Sequence, residues 1–269
     1  MIFKNLQYIV SLFLLFFSLL HFIWNRLLFF PLILEPKTSK HCFETYFNND
    51  MGGYIWKPIQ PVAIGEKTLF YFNDTTGNCS TRFVIVRDIH RNYFQEYTII
   101  QLEYPGFGIS THLPLQLEYI VKQCTLVVSN LLKQYNVRET IFWGEGMGSF
   151  IMSQVISKTT VLPSQIIFHN GVNDLYSYLF SKYQFFTAPF FLLSKNWKHT
   201  SEYLSPMKFP TKYKIITTQN PVHQYQSCEF YFEMKDKNIQ YTELDGNASY
   251  GILFEKNRPM LDTLFQSES

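Results

Sequence analysis

Residues Gly144-Glu145-Gly146-Met147-Gly148-Ser149 follow a short apolar run, Glu139 to Trp143, that reads as a buried strand. The spacing of the three glycines is that of a nucleophile elbow, G-x-S-x-G, in which a serine stands on a sharp strand-to-helix turn. The chemistry of such a corner is acyl transfer: the serine gives its proton to a histidine, which a carboxylate holds in the right tautomer. Here Gly146 stands in the serine's place, so the frame is present and the nucleophilic atom is not. Gly144 and Gly148 keep the small flanking positions that let strand and helix pass close together. A non-glycine residue held in a sparse backbone region costs roughly 1–3 kcal/mol, a penalty glycine largely escapes. The substitution therefore relaxes the turn while it deletes the nucleophile. Three alternating glycines also arise by chance in a plain turn, and the surrounding elements decide between the two readings.

Those elements alternate. Lys67 to Phe72 is an aromatic-rich strand, Asn73 to Asn78 a turn cluster, and Cys79 to Val86 a helical stretch. A second strand, Tyr97 to Leu102, runs into Glu103-Tyr104-Pro105-Gly106-Phe107-Gly108-Ile109-Ser110. Apolar residues at helical spacing then occupy Leu115 to Tyr135, and the elbow strand follows. This alternation predicts a mostly parallel sheet with helices on both faces.

Taken in order, these motifs resemble the alpha/beta-hydrolase superfamily, and within it the membrane-anchored serine hydrolases. In that branch the first turn reads His-Gly-Asn-Ala-Gly-Asn and the second motif Asp-Tyr-Arg-Gly-Tyr-Gly-x-Ser. The similarity runs from about Thr68 to about Phe265. The resemblance implies one oxyanion-hole donor from the first turn, where His-Gly-Asn falls on Asn73, Asp74 and Thr75, and a second from the N–H of Met147. A donor of this kind is worth about 2.7–4 kcal/mol in the transition state, and the Asp74 carboxylate placed beside it would repel the developing oxyanion. The resemblance puts the catalytic acid after the strand Tyr213 to Thr218, at Asn220. It puts the histidine after the strand Ile239 to Leu244, at Asn247. All three triad positions, Gly146, Asn220 and Asn247, are thus substituted together. Two residues remain as candidates for a displaced site: Ser149, which helical geometry turns away from the corner's tip, and His223, near the acid loop. His169, closing the run Gln165 to Phe168, reads as structural.

The N-terminus carries the second strong signal. From Tyr8 to Trp24 only Ser11, Ser18 and His21 interrupt an apolar stretch, and after Asn25-Arg26 another runs from Leu27 to Leu34. The first run is near the lower length limit for crossing a hydrocarbon core of about 30 Å. No small-x-small cleavage pattern follows it. Residues 1–35 are therefore expected to form a single-pass membrane anchor, ahead of one domain at 36–269. Lys4 flanks one end and Arg26, Lys37 and Lys40 the other, so positive charge does not decide the orientation. Sequons at Asn73, Asn78 and Asn247 are compatible with a lumenal, glycosylated domain.

Composition excludes several function classes. Of 269 residues 46% are hydrophobic, with 27 phenylalanines and 18 tyrosines, enough for one large aromatic core. A net charge of +2 without a Lys/Arg run argues against nucleic acid. The 4 cysteines have no metal-ligand spacing, and neither a metal site nor a cofactor motif is visible. Their disulfide state is open. The aromatic segment Tyr176 to Trp197 falls where the resembling proteins insert a cap; it lines an apolar pocket, touches the bilayer or packs on the sheet. The sequence reads as an alpha/beta-hydrolase-like domain behind an anchor, non-catalytic, with a lipid or protein as partner. The alternative is an active lipid ester or thioester hydrolase that uses displaced residues.

Overall fold

The computed structural model describes residues 2–29, 42–47, 51–160, 162–183, 198–206, 211–246 and 249–266. Eight strands among them form one sheet in the order β1-β2-β4-β3-β5-β6-β7-β8. In chain order these are β1 (Cys42–Tyr46), β2 (Gly52–Trp56), β3 (Lys67–Phe72), β4 (Thr98–Leu102), β5 (Glu139–Glu145), β6 (Gln165–His169), β7 (Lys212–Thr218) and β8 (Ile239–Leu244). From β4 through β3 and β5 to β8 every neighbouring pair is parallel. The β1–β2 hairpin adds an antiparallel edge, β2 pairing with β4. Sequence reasoning did not find that hairpin, because its strands are short and Gly52-Gly53 reads as a turn.

The helices are α1 (Ile2–Leu28), α2 (Phe83–Asn92), α3 (Leu117–Gln134), α4 (Met147–Lys158), α5 (Leu175–Tyr183), α6 (Thr200–Leu204), α7 (Pro221–Glu233) and α8 (Arg258–Gln266). Parallel strands need crossovers, and the crossovers cover both faces of the sheet. On one face Phe70, Phe72, Phe142 and Phe168 pack under α3, α4 and α7. On the other, Leu69, Tyr71, Trp143 and Ile167 pack under α2 and α8. Burial on both sides explains why β5 reads as a continuous apolar run rather than an alternating one.

The N-terminal helix departs from expectation. Among the described residues no helix is long and apolar enough to cross a membrane, which leaves the expected anchor at residues 1–35 without support from the fold. Residues 30–35 lie outside the described residues. What is observed is a 27-residue α1 with Tyr8, Leu12, Leu15, Leu19 and Phe22 largely exposed. Its end is tied to the domain: Leu20 packs on the core, and Phe29 is buried edge-on against Phe107, 6.1 Å between ring centres.

Candidate functional site

The parallel strands bring their C-terminal ends to one edge, where ligands bind in open sheets of this kind. Phe72, Leu102, Glu145, His169, Thr218 and Leu244 each end a strand there. At the centre, β5 turns into α4 through Gly146, whose backbone lies at φ 53°, ψ −127°. That is the strained conformation of an elbow, and glycine holds it without a Cβ penalty. The flanking glycines are needed for contact: a Cβ on Gly144 would lie 2.8 Å from Ser149 N, and one on Gly148 would lie 2.5 Å from Asn73 O.

The space above Gly146 is taken. A Cβ built there would sit 2.6 Å from Asp74 Cγ and 3.1 Å from Asp74 Cβ. Asp74 Oδ1 accepts the Met147 N–H at 3.0 Å, and Asp74 Oδ2 accepts the Thr76 hydroxyl. The two oxyanion-hole positions expected from sequence, Asp74 and Met147, are therefore bonded to each other. An internal carboxylate holds the donor that a transition-state oxyanion would need.

Beneath the corner lies a buried charge network that sequence reasoning missed. Arg82 Nε donates to both oxygens of Glu145 at 2.8 Å, and Tyr71 OH donates to Glu145 Oε2 at 2.8 Å. Arg82 Nη2 reaches Thr76 Oγ1 at 3.4 Å, joining this network to the Asp74 loop. Burial works against the Arg82 charge, and Glu145, Asp74 and Tyr71 together more than offset it. The missed signal was Glu145 itself: a carboxylate at the end of a strand buried on both faces requires a cation, and Arg82 is the one at the head of the neighbouring helix.

The second motif is structural in the same sense. Glu103 is buried and accepts the Cys79 N–H at 3.1 Å; burial pushes its carboxyl up to about 7. Tyr104 OH donates to Asn73 O at 2.8 Å, fixing the turn that carries Asp74. Ser110 Oγ donates to Glu103 O and accepts the Gly52 N–H, closing the motif onto the hairpin.

The remaining expected residues fall as follows. Asn220 is the N-cap of α7, its side chain accepting the Val222 N–H at 3.0 Å. Asn247 lies outside the described residues. Ser149 is fully buried; its hydroxyl donates to Gly146 O at 2.7 Å and accepts the Val172 N–H at 2.8 Å. His223 is in the first turn of α7, its ring 6.3 Å from that of Tyr178. No hydrogen bond links Ser149 to His223 among the described residues, so the structure does not bring the displaced pair together. His169 is buried, with neither ring nitrogen hydrogen-bonded, and burial lowers its pKa to about 4. No histidine occurs in the sequence after His223, hence none follows β8. The loop there is held by Asn257, which bonds Asp245 O and Gly251 O.

Two of the three sequon asparagines are buried. Asn73 and Asn78 are each 1% exposed; Asn78 Oδ1 accepts the Thr81 N–H and the Ser80 hydroxyl. Neither side chain is accessible to a glycan in the folded chain. All four cysteines are free thiols. Among the described residues no group of histidines, cysteines and acids forms a metal site.

The fold is shared with solved enzymes. The structure is similar to carboxyl esterase 2 of the mycorrhizal fungus Tuber melanosporum, with TM-score 0.63 and 16% identity over 86% of this chain and 88% of that one. It is similar to an esterase of Pyrococcus furiosus, with TM-score 0.60 and 12% identity over 88% and 97%. A third neighbour is an alpha/beta hydrolase enzyme from the metagenome of Lake Arreo, with TM-score 0.56 and 10% identity over 91% and 86%. The chain has the alpha/beta-hydrolase fold. At these identities the likeness is one of fold alone. No protein-family model matches the sequence, and no curated protein matches it. At the strand ends of this chain stand Asp74, Gly146 and the Asn220 cap.

Proposed function

We propose that this protein is a membrane-associated, non-catalytic member of the alpha/beta-hydrolase fold, with a binding or scaffolding role. The observation that carries the reading is the Asp74 carboxylate standing over Gly146 with the Met147 N–H bonded to it. A glycine there offers no nucleophile, and a carboxylate in the oxyanion position opposes the charge that acyl transfer develops. The alternative, an active lipid ester or thioester hydrolase working through Ser149, is disfavoured by the two hydrogen bonds and complete burial of that hydroxyl. Membrane association rests on α1, which exposes large apolar side chains around its circumference; such a helix finds its stable environment in lipid or against a partner. Whether it crosses the bilayer or lies along it, the partner class is an apolar one.

The test is intact-mass analysis of the folded protein after treatment with a broad serine-reactive fluorophosphonate, beside a labelled active hydrolase. The expected result is an unmodified mass. A single adduct mapping to Ser149 would overturn the reading and establish a displaced nucleophile.

A further inference from the structure

The loop after β6 holds Ser149 through the Val172 N–H and leads into a cluster where α5, α6 and α7 meet. Four carboxylates belong to it: Asp174 just ahead of α5, Glu202 in α6, and Glu229 and Glu233 in α7. His199, the N-cap of α6, stands between two of them. Its Nδ1 lies 2.9 Å from Glu233 Oε1 and its Nε2 4.0 Å from Asp174 Oδ1. Among the described residues these are the ion pairs of the cluster, and neither draws on a lysine or arginine.

Each carboxylate is held by bonds that do not involve the ring. Asp174 accepts the N–H groups of Tyr176 and Ser177, fixing the first turn of α5. Glu233 Oε2 accepts the Asn173 amide at 2.8 Å and the Ser201 hydroxyl. Glu229 accepts the same amide at 3.2 Å and the Tyr225 hydroxyl at 3.4 Å, and Glu202 accepts the backbone N–H of His199 at 3.1 Å. The acids therefore stay gathered whatever the charge on the imidazole. A charged ring offers them two N–H donors and a positive charge; a neutral ring offers one donor and no charge. Burial lowers the His199 pKa, but the bond to Glu233 and the charges of Glu233, Asp174 and Glu229 outweigh it and raise the value above that of an ordinary histidine.

We propose that His199 is a pH-operated clamp, tying α5 and α6 to α7 when its ring is charged and loosening them when the ring is neutral. The groups that face the ring are Asp174 from the head of α5, Glu202 from α6, and Glu229, Glu233 and the Tyr225 phenol from α7. Because the folded-state pKa is raised, the pairing is complete below about pH 6.5 and is lost as pH rises through that higher value. Thr200 keeps its bonds to Val172 O and Asn173 O at any such pH, so the loosening is local. The border of the elbow region is thereby firm in mildly acidic surroundings and looser in alkaline ones. The clamp does not depend on whether the chain is catalytic.

The experiment is hydrogen–deuterium exchange of the full-length protein from about pH 5.5 to about pH 8.5, a range that spans histidine titration, corrected for the intrinsic pH dependence of exchange. Protection of peptides from α5 and α6 is expected to fall by about fivefold as pH rises, the size of one partly exposed ion pair, while β5 stays unchanged. His199→Asn keeps a helix cap and an amide donor but has no titrating group, so its α5 and α6 protection should be flat across the range. Glu233→Gln should move the transition to lower pH, because the ring loses a carboxylate that raises its pKa. The His199 side chain is partly exposed, so its variant keeps the fold testable, with the melting temperature as control. Protection of α5 and α6 that is flat in the wild type overturns the proposal. So does a transition that persists in His199→Asn, one that Glu233→Gln leaves in place, or an equal loss of protection in β5.

Discussion

Asp74 and Gly146 occupy one another's space: the side chain that position 146 lacks would begin 2.6 Å from Asp74 Cγ. The absence of a nucleophile and the presence of the carboxylate are therefore one structural fact. Gly146→Ser should destabilise the fold by about 2–4 kcal/mol, from the strained backbone and the displaced bond to Met147. Asp74→Gly in the same chain should recover part of that loss. Chemical denaturation of the four proteins of this cycle measures the coupling, expected at more than about 0.5 kcal/mol. Additive effects would mean that the two residues do not compete for the same volume.

The Arg82–Glu145 pair is buried on both sides, with side-chain exposures of 8% and 0%. Removing one partner of such a pair costs about 3–5 kcal/mol, because the other charge is left without compensation. Arg82→Met and Glu145→Gln should each show this loss in denaturation midpoint. The double variant should be less destabilised than the sum of the two. A loss within experimental error for either single variant would refute the buried-pair account.

Two buried groups set opposing pH dependences. Glu103, raised from 4.5 to about 7 by burial, holds a proton in the folded chain that it loses when unfolded. Its contribution is complete below about pH 4.5 and is lost as pH rises towards 7. His169, lowered from 6.5 to about 4 by burial, contributes stability above pH 6.5 that is lost as pH falls towards 4. In the wild type these slopes largely cancel over their shared window. Stability of Glu103→Gln should therefore rise with pH across that window, and that of His169→Phe should fall. Parallel pH profiles for the two variants would contradict the assignment.

Asn73 and Asn78 are too buried to carry glycans. Expressed in a glycosylating host and digested to peptides, both should be recovered unmodified from folded protein. Asn78→Gln should cost about 1 kcal/mol through the lost cap at Thr81. A glycan at either position in folded, secreted material would show that this turn opens.

Much of the architecture could be read from the residues. The apolar runs of β3, β4 and β5 and the helical spacing of α3 stand out because period and composition are local properties. The elbow was visible for the same reason, since its three glycines answer to close approaches within a few residues of chain. The α1 segment was visible as an apolar stretch, while its relation to a bilayer is a matter of length and surroundings.

What only the tertiary structure decided involves residues far apart in sequence. That Asp74 would fill the space above Gly146, that Arg82 would neutralise Glu145, and that Asn78 would be buried all depend on parallel crossovers bringing the ends of β3 and β5 side by side. The β1–β2 hairpin likewise arises from strand order, which no local pattern encodes. The sequence alone determined that position 146 carries no nucleophile, because side-chain chemistry is a property of the residue. The fold decided that a carboxylate occupies that place, because occupancy is a property of packing.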